Sequence, residues 1–271
     1  MTKTASITKT ASIKTSLLAL GLMAGIGLAT APARADALDD ITKAGTLKVG
    51  VFADFPPFSS ATADMSLKGY DIDVAEIIAS ALKVKLSLVS VNGQNRIPFL
   101  TERRVDILLS VGHSAEREKV IDFTAAYAPY YIAVIGPQAL KVQGKADLAG
   151  KSIAVSRGTL EDTSLTEAAP PTADIKRFDS YNSVIQAFIS GQAQLMVVGN
   201  DVGSQVLSRQ TSLKPEQKFQ LMTSPDHIAL NKNEPRLKQA LNEIVAKLLA
   251  DGTLNRASIK WLGKPLDPKD L

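Results

Sequence analysis

The sequence contains no cysteine, and this absence removes several chemistries at once. Such a chain forms no disulfide, binds no metal through a thiolate, has no cysteine nucleophile and carries no lipid on a cysteine. We therefore expect an exported form of the chain to diffuse freely. Only two histidines are present, His113 and His227, and they are far apart in sequence. A histidine-rich zinc site is not expected, and no metal or cofactor is predicted.

An excess of one charge is also missing once the N-terminal segment is set aside. The chain has 31 basic and 27 acidic residues, a formal charge of +4. Residues 1–35 contain four of the basic residues and no acidic one, so 27 of each sign remain. A neutral chain offers no basic surface for nucleic acid, and nucleic acid is not an expected partner.

Residues 1–35 have the three parts of a secretory signal peptide. A basic start, which repeats TKTASI, precedes the apolar stretch Leu17–Leu28 and the small-residue site Ala33–Ala35. The alternative is an N-terminal membrane anchor. The apolar stretch is shorter than the roughly 20 residues that a spanning helix needs, and no other stretch is long enough. We predict a cleaved signal peptide over 1–35 and a periplasmic protein.

The rest of the chain alternates strand-like and helix-like segments in two runs, about Thr46–Ile135 and Lys151–Met222, followed by a helical return. This alternation predicts two α/β units. The last helices are expected to pack on the first unit, so the chain should cross between the units near Val134–Gln138 and near Leu221–Asp226. His227–Leu230 is predicted to add an edge strand.

One stretch combines a buried strand with groups that suit an anionic ligand. The apolar run Ile107–Leu109 predicts a strand, and the small polar loop Ser110–Ser114 and Arg117 follow it. Ligands bind beyond the carboxyl ends of strands in open α/β sheets. Loop N–H and O–H groups with one guanidinium would bind a carboxylate. The alternative is that Arg117 is a surface charge between the two glutamates that flank it.

Aromatic residues follow the first predicted strand, Leu47–Phe52. The two prolines of the next segment exclude helix and predict a rigid loop that holds three phenylalanines close together. We interpret Phe55, and less strongly Phe52, as ligand contacts, and Phe58 as a core residue.

Several polar residues stand where helices begin. Asp71 or Asp73 is expected to cap the helix that carries Val74. Asp201 is expected to cap the helix Val202–Ser208 rather than to contact a ligand, and both roles remain open for Asn200.

A second group follows the predicted strand Ser152–Ser156. Gly158 permits close backbone approach, and Thr159 offers a hydroxyl and an N–H at a helix start, where anions bind. A simple N-cap is the favoured interpretation of Thr159. A surface position is favoured for Arg157.

Seven segments carry a resemblance to a known family. Together and in this order they resemble the bacterial family 3 solute-binding proteins, the periplasmic polar amino-acid receptors of ABC importers: LKVGVFADFPPF, GYDIDVAEIIASAL, IPFLTERRVDILLS, EREKVIDFTAAY, DLAGKSIAVSRGT, FDSYNSVIQAFISGQ and DGTLNRASIKWLG. The resemblance implies an α/β fold of the type II periplasmic-binding-protein class, with two lobes joined by two hinge strands. Lobe 1 would comprise 36–135 and 225–271, and lobe 2 would comprise 136–224.

The resemblance also implies a ligand site between the lobes. Family members bind the carboxylate of an amino acid with the arginine matched by Arg117. They add N–H and hydroxyl groups matched by Ser110, Gly112 and Thr159, and place the aromatic matched by Phe55 along the ligand.

The sequence departs from the family pattern in three places. The loop between Asp106 and Arg117 is one residue shorter than the usual pattern. Gly112 stands where a hydroxyl residue is common. The second-lobe aspartate that usually meets the ligand's ammonium falls near Gly199 or Asn200, so Asp201 or Asp54 would supply that charge, or the ligand is not an ordinary α-amino acid. The expected ligand-binding set is Phe52, Asp54, Phe55, Ser110, Gly112, Arg117, Gly158, Thr159, Asn200 and Asp201.

The sequence therefore predicts a monomeric, non-enzymatic binding protein. It would capture an amino acid or related small carboxylate between its lobes and deliver it to the inner-membrane permease of an ABC importer. The alternative is a periplasmic lyase or dehydratase on the same fold, with His113 and Glu161 as candidate acid or base.

Overall fold

The computed structural model describes residues 36–208 and 212–271, and the expected signal peptide, 1–35, lies outside the described residues. The α-helices are α1 Ala37–Ala44, α2 Tyr70–Ala81, α3 Arg96–Thr101, α4 Ala115–Glu118, α5 Leu160–Ala168, α6 Tyr181–Ile189, α7 Asn200–Leu207, α8 Pro235–Ala250 and α9 Thr253–Leu262. None of the helices in these ranges has both the length and the apolar character that crossing a membrane requires.

The strands form two five-stranded sheets and one small three-stranded sheet. They are β1 Thr46–Phe52, β2 Asp54–Phe55, β3 Ser59–Ala61, β4 Leu67–Lys68, β5 Lys85–Val91, β6 Ile107–Gly112, β7 Ile121–Ala128, β8 Tyr131–Pro137, β9 Ser152–Ser156, β10 Asp174–Phe178, β11 Leu195–Gly199, β12 Pro215–Thr223 and β13 Asp226–Asn231.

The first large sheet has the order β5-β1-β6-β13-β7. Strands β5, β1 and β6 are parallel, whereas β13 runs antiparallel between β6 and β7. The prediction that His227–Leu230 forms an edge strand is therefore wrong. Strand β13 pairs with a strand on each side, and its apolar residues Ile228, Ala229 and Leu230 are fully buried.

The second large sheet has the order β10-β9-β11-β8-β12. Strands β9, β10 and β11 are parallel. Strand β8 runs antiparallel to β11, and β12 runs antiparallel to β8. Every residue of β11 is buried, which explains its continuous apolar sequence. Each large sheet is thus the centre of one α/β lobe.

The chain passes between the two sheets twice. It leaves the first sheet at Pro129–Tyr130 and returns at Ser224–Pro225. The return lies within the predicted segment Leu221–Asp226. The first passage comes before the predicted segment Val134–Gln138, because β8 pairs with β11 and β12 from Tyr131 onward.

The helical return packs on the first lobe, as predicted. Helix α8 presents a buried stripe of Leu237, Leu241, Val245 and Leu248, and it packs against β7 and α1. In α9 the indole Nε1 of Trp261 donates to the Asp73 carboxylate at 2.8 Å.

Candidate functional site

A small cavity lies between the two lobes, at the carboxyl end of β6. Its lining residues are Phe55, Arg96, Ser110, Gly112, Tyr130, Leu160, Glu161, Tyr181 and Asp226. The first lobe supplies the end of β6, Phe55 from the loop after β1, Arg96 from α3 and the start of β13. The second lobe supplies the N-terminal turns of α5 and α6. This is the place in an α/β sheet where ligands bind.

A buried carboxylate supports the first-lobe wall. Asp71 Oδ2 accepts a hydrogen bond from Ser110 Oγ at 2.6 Å, and its Oδ1 accepts one from the Tyr127 hydroxyl at 2.6 Å. Burial raises the pKa of Asp71 to about 6, although these two hydrogen bonds and the charge of Arg96 oppose the shift. The network fixes the backbone of Ser110, whose N–H donates to the same Tyr127 oxygen at 2.8 Å.

The prediction that Asp71 or Asp73 caps α2 is wrong. Gly69 is the N-cap residue, and no side chain caps this end. Asp71 instead points into the protein toward Ser110, and Asp73 accepts hydrogen bonds from Lys260 and Trp261. The acidic residues of this turn are used in tertiary contacts.

Two guanidinium groups are buried beside the cavity. Arg96 is 3% exposed, and its Nη1 donates to the Ser110 carbonyl at 2.9 Å. Arg117 is 7% exposed, and its Nη1 donates to the Gly112 carbonyl at 2.9 Å. Burial and the neighbouring charge of Arg96 lower the pKa of Arg117 to about 9, so it remains cationic at neutral pH.

Glu161 is the acidic group that the second lobe brings to the cavity. It is 3% exposed, and its Oε1 accepts hydrogen bonds from the hydroxyls of Tyr130 at 2.6 Å and Tyr181 at 3.0 Å. It lies in the first turn of α5, where the helix dipole stabilises negative charge. Thr159 caps this helix, as predicted: its Oγ1 accepts from Asp162 N at 3.4 Å.

The departures at Gly199 and Gly112 have steric explanations. A Cβ on Gly199 would lie 2.0 Å from the Tyr130 hydroxyl oxygen, so the tyrosine occupies the space of a side chain there. A Cβ on Gly112 would lie 2.6 Å from both Leu160 Cδ2 and Ser224 Oγ. In each case a residue from one of the two passages between the sheets stands where the missing side chain would be.

Asp226, the first residue of β13, also faces the cavity. It is 2% exposed and lies opposite Gly112 in the antiparallel pairing of β13 with β6. Burial, and then the charge of Asp71, hold the pKa of Asp226 well above its usual range. Its carboxylate Oδ2 has no hydrogen-bond partner within the described residues.

The structure brings some of the expected ligand-binding residues together at this cavity. Phe55, Ser110 and Gly112 line it directly. Arg117 lies beside Gly112, and Thr159 is buried at the start of α5. The ring of Phe52 packs behind that of Phe55, with 5.4 Å between the ring centroids.

Other expected residues lie elsewhere. Asp54 Oδ2 accepts from Asn182 N at 3.2 Å, near the start of α6, and therefore connects the two lobes at the rim. Asn200 Oδ1 accepts from Tyr131 N at 3.0 Å, and its amide donates to Asp201 at 2.9 Å. The prediction that Asp201 caps a helix is wrong, because α7 already begins at Asn200, after the N-cap Gly199.

Gly158 takes part in contact between the lobes. It has a positive φ of 73°, and a Cβ there would lie 3.0 Å from the Gly93 carbonyl oxygen. The neighbouring Arg157 pairs with Asp179 at 3.2 Å and is on the surface, as expected.

His113 does not line the cavity. Its side chain is 46% exposed, and its Nε2 lies 3.3 Å from the Glu118 carboxylate. This placement removes the imidazole as an acid or base for a ligand in the cavity, whereas Glu161 remains there.

Sequence reasoning missed five residues of the cavity wall: Arg96, Tyr130, Leu160, Tyr181 and Asp226. Arg96 opens a short helix close to Arg103 and Arg104, and no sequence signal separates a buried arginine from these neighbours. Tyr130, Tyr181 and Asp226 carried more signal. Tyr130 and Asp226 adjoin the two passages between the lobes, and Tyr181 starts a helix that faces the cleft.

Comparisons with known proteins identify the family. The sequence profile of the bacterial extracellular solute-binding proteins, family 3, matches residues 47–264. The chain is 27% identical over 255 residues to the L-cystine-binding protein TcyJ of Escherichia coli (strain K12), covering 91% of this chain and 93% of that protein. It is 26% identical over 282 residues to the glutamate/aspartate import solute-binding protein of Salmonella typhimurium (strain LT2), covering 96% and 91%.

Solved structures of amino acid-binding proteins are similar to this chain as well. An ancestral amino acid-binding protein, described as a precursor of cyclohexadienyl dehydratase, matches with a TM-score of 0.76 and 29% identity over 84% of this chain and 99% of that one. An ancestral arginine-binding protein bound to arginine matches with a TM-score of 0.76 and 27% identity over 81% and 99%. The fold is the two-lobed type II architecture of these proteins. The chain belongs to the bacterial extracellular solute-binding proteins, family 3.

Proposed function

We propose that this protein binds an amino acid in the cavity between its lobes and delivers it to an ABC importer. The observation that carries the proposal is the burial of Arg117 at the carboxyl end of β6, beside a polar cavity that both lobes enclose. Relatives named for cystine, glutamate/aspartate and arginine support an amino acid as the ligand class.

Arg117 is the proposed carboxylate-binding residue. A guanidinium has five N–H donors, and one of them donates to the Gly112 carbonyl. The others are available to an incoming carboxylate, which would bind this cation directly. The rings of Phe55 and Tyr181, whose centroids are 4.7 Å apart, would pack along the ligand side chain.

Ligand binding would be coupled to closure of the lobes. The ligand would touch Ser110 and Gly112 on one side and the start of α5 on the other, so it would bind the closed state better than the open one. A ligand shifts such an equilibrium by its differential affinity for the two states.

The lobe boundaries remain a prediction. We expected lobe 1 to comprise 36–135 and 225–271, and lobe 2 to comprise 136–224. We propose that the first boundary lies at Pro129–Tyr130, because β8 belongs to the second sheet along its length. The cleaved signal peptide over 1–35, the periplasmic location, the permease partner and the monomeric state are proposed on the sequence pattern and the family.

A lyase or dehydratase activity is the second candidate. Glu161 favours it, because a buried carboxyl held by two tyrosine hydroxyls inside the cavity has the position of a general acid or base. A solved neighbour described as a precursor of cyclohexadienyl dehydratase points the same way. The family and its named relatives are binding proteins, so binding is the preferred function.

A thermal-shift screen of residues 36–271 tests the proposal. Ligand at one hundred times its Kd stabilises the folded state by about 2.7 kcal/mol, which gives a clear rise in Tm. We expect a rise with at least one amino acid. No rise with any common amino acid or L-cystine would refute the proposed function. Product formed from prephenate or related acids would favour the lyase.

A further inference from the structure

Asp226 has a buried carboxylate oxygen without a hydrogen-bond partner among the described residues. Of the buried side-chain atoms without a hydrogen-bond partner in the described residues, three belong to this cleft: Arg96 Nε, Ser224 Oγ and Asp226 Oδ2. Buried polar groups are nearly always hydrogen-bonded, because desolvation without a partner is costly. Two of the three atoms belong to ionisable groups, and the carboxyl is the acceptor among them that calls for a donor from outside the chain.

The position of Asp226 directs that carboxyl into the ligand cavity. It lies opposite Gly112 in the β13–β6 pairing and lines the same cavity as Ser110 and Glu161. The adjacent passage from the second sheet also places Ser224 Oγ 2.6 Å from the point that a Cβ on Gly112 would occupy. A hydroxyl and a carboxyl therefore both lie next to Gly112, the last residue of β6.

The chemistry of this pair suits a cationic donor. A carboxylate accepts hydrogen bonds and a hydroxyl accepts one, so an ammonium with its three N–H donors satisfies both. The space beside Gly199, where a second-lobe side chain would project, is filled by Tyr130. Glu161 is in the cavity as well, but its Oε1 already accepts from Tyr130 and Tyr181.

We infer that Asp226, with Ser224, binds the ammonium of the ligand, while Arg117 binds its carboxylate. The ligand is then an amino acid with a free amine rather than a simple carboxylic acid. This inference rests on the proposed function and deepens it, because it names the group that replaces the acid missing at Gly199.

Paired probes test the inference by calorimetry. The pairs are L-glutamate with glutarate, L-arginine with 5-guanidinopentanoate, and L-cystine with 3,3′-dithiodipropionate; each second compound lacks the α-amine of the first. We expect the wild type to bind the amino acid of at least one pair at least tenfold more tightly than its partner. Asp226→Asn should weaken binding of that amino acid by about tenfold to a hundredfold and change the partner compound about twofold or less.

A control variant separates charge from position. Asp106 is half-buried in the same lobe, and its Oδ2 accepts from Lys48 N at the opposite end of β6. Asp106→Asn should leave both affinities unchanged. If Asp226→Asn does not fold, Ser224→Ala and the wild-type preference between the paired probes still test the site.

Three results have distinct meanings. Wild-type binding of no amino acid would refute the proposed function itself. Unchanged binding of the amino acid by Asp226→Asn would refute the inference alone. An equal loss of both compounds in that variant would show that Asp226 serves only as a structural counter-charge, for example to Arg96, and would also overturn the inference.

Discussion

Replacing Arg117 should abolish most of the affinity for an amino acid ligand. The side chain is buried and cationic, and one hydrogen bond to the Gly112 carbonyl holds it in place. A hydrogen bond to a charged group contributes about 1.5–3 kcal/mol. Arg117→Ala is therefore expected to weaken binding by about tenfold to more than a hundredfold, since each 1.4 kcal/mol is a factor of ten. Arg117→Lys keeps the charge but loses the planar fork, so we expect a smaller loss.

The measurement is an isothermal titration with the amino acid that raises Tm most in the thermal-shift screen. Arg157→Ala is the matched control, because this exposed arginine pairs at the surface with Asp179 and donates to the Arg177 carbonyl. Its affinity should stay within about twofold of the wild type. Urea unfolding of each variant shows whether it is folded. A folded Arg117→Ala variant with wild-type affinity would refute the assignment of the carboxylate site.

Three further predictions concern closure, packing and pH. A Cβ on Gly93 would lie 2.3 Å from the Arg157 carbonyl oxygen of the other lobe. Gly93→Ala should therefore hinder closure, weaken ligand binding and give the ligand-bound protein a larger radius of gyration in small-angle scattering. A radius equal to that of the ligand-bound wild type would count against this. Gly199→Asp must displace Tyr130 and should lower the free energy of unfolding in urea by about 1–3 kcal/mol; equal stability would contradict the steric account. Asp71, with its pKa raised to about 6, keeps a proton in the folded state that the unfolded chain releases from about pH 4. Its contribution to stability is therefore lost as pH rises from about 4 to 6, and the free energy of unfolding of Asp71→Asn relative to wild type should rise by about 3 kcal/mol across that window. A pH-independent difference would contradict it.

Much of the fold follows from local patterns. The run at Leu195 predicts a buried strand, and the start Ser180 with its apolar residues predicts α6 at its observed bounds. These signals lie in neighbouring residues, so a single sequence is enough to read them. The order of the strands in a sheet depends on pairing between residues far apart in the sequence. The central position of β13 depends on pairing with β6 and β7, far away in sequence, and a short apolar run there looks the same at an edge.

The candidate site was predicted in part for a similar reason. Phe55, Ser110 and Gly112 stand next to strand ends, where position itself indicates a ligand site. Acidic residues at helix starts were interpreted as caps because caps are their commonest role. Asp71 is an exception, because it is buried and accepts a hydrogen bond from Ser110, a contact that the sequence alone does not reveal.

Residues brought in by the two passages between the sheets were harder still to predict. Tyr130 and Ser224 replace side chains missing at Gly199 and Gly112, and this exchange is visible only in three dimensions. The absence of the usual second-lobe acid was readable from the sequence, but the search for its replacement considered Asp54 and Asp201. Both are occupied by other contacts, with Asn182 and Asn200.

The central claim is that the ligand lies between the two lobes with its carboxylate on Arg117. A crystal structure of the protein with the amino acid selected by the thermal-shift screen tests it most directly. The account predicts a carboxylate oxygen of the ligand within hydrogen-bond distance of the Arg117 guanidinium, with the ligand enclosed by Phe55 and the start of α5. A ligand bound outside this cavity, or one whose carboxylate does not contact Arg117, would contradict it.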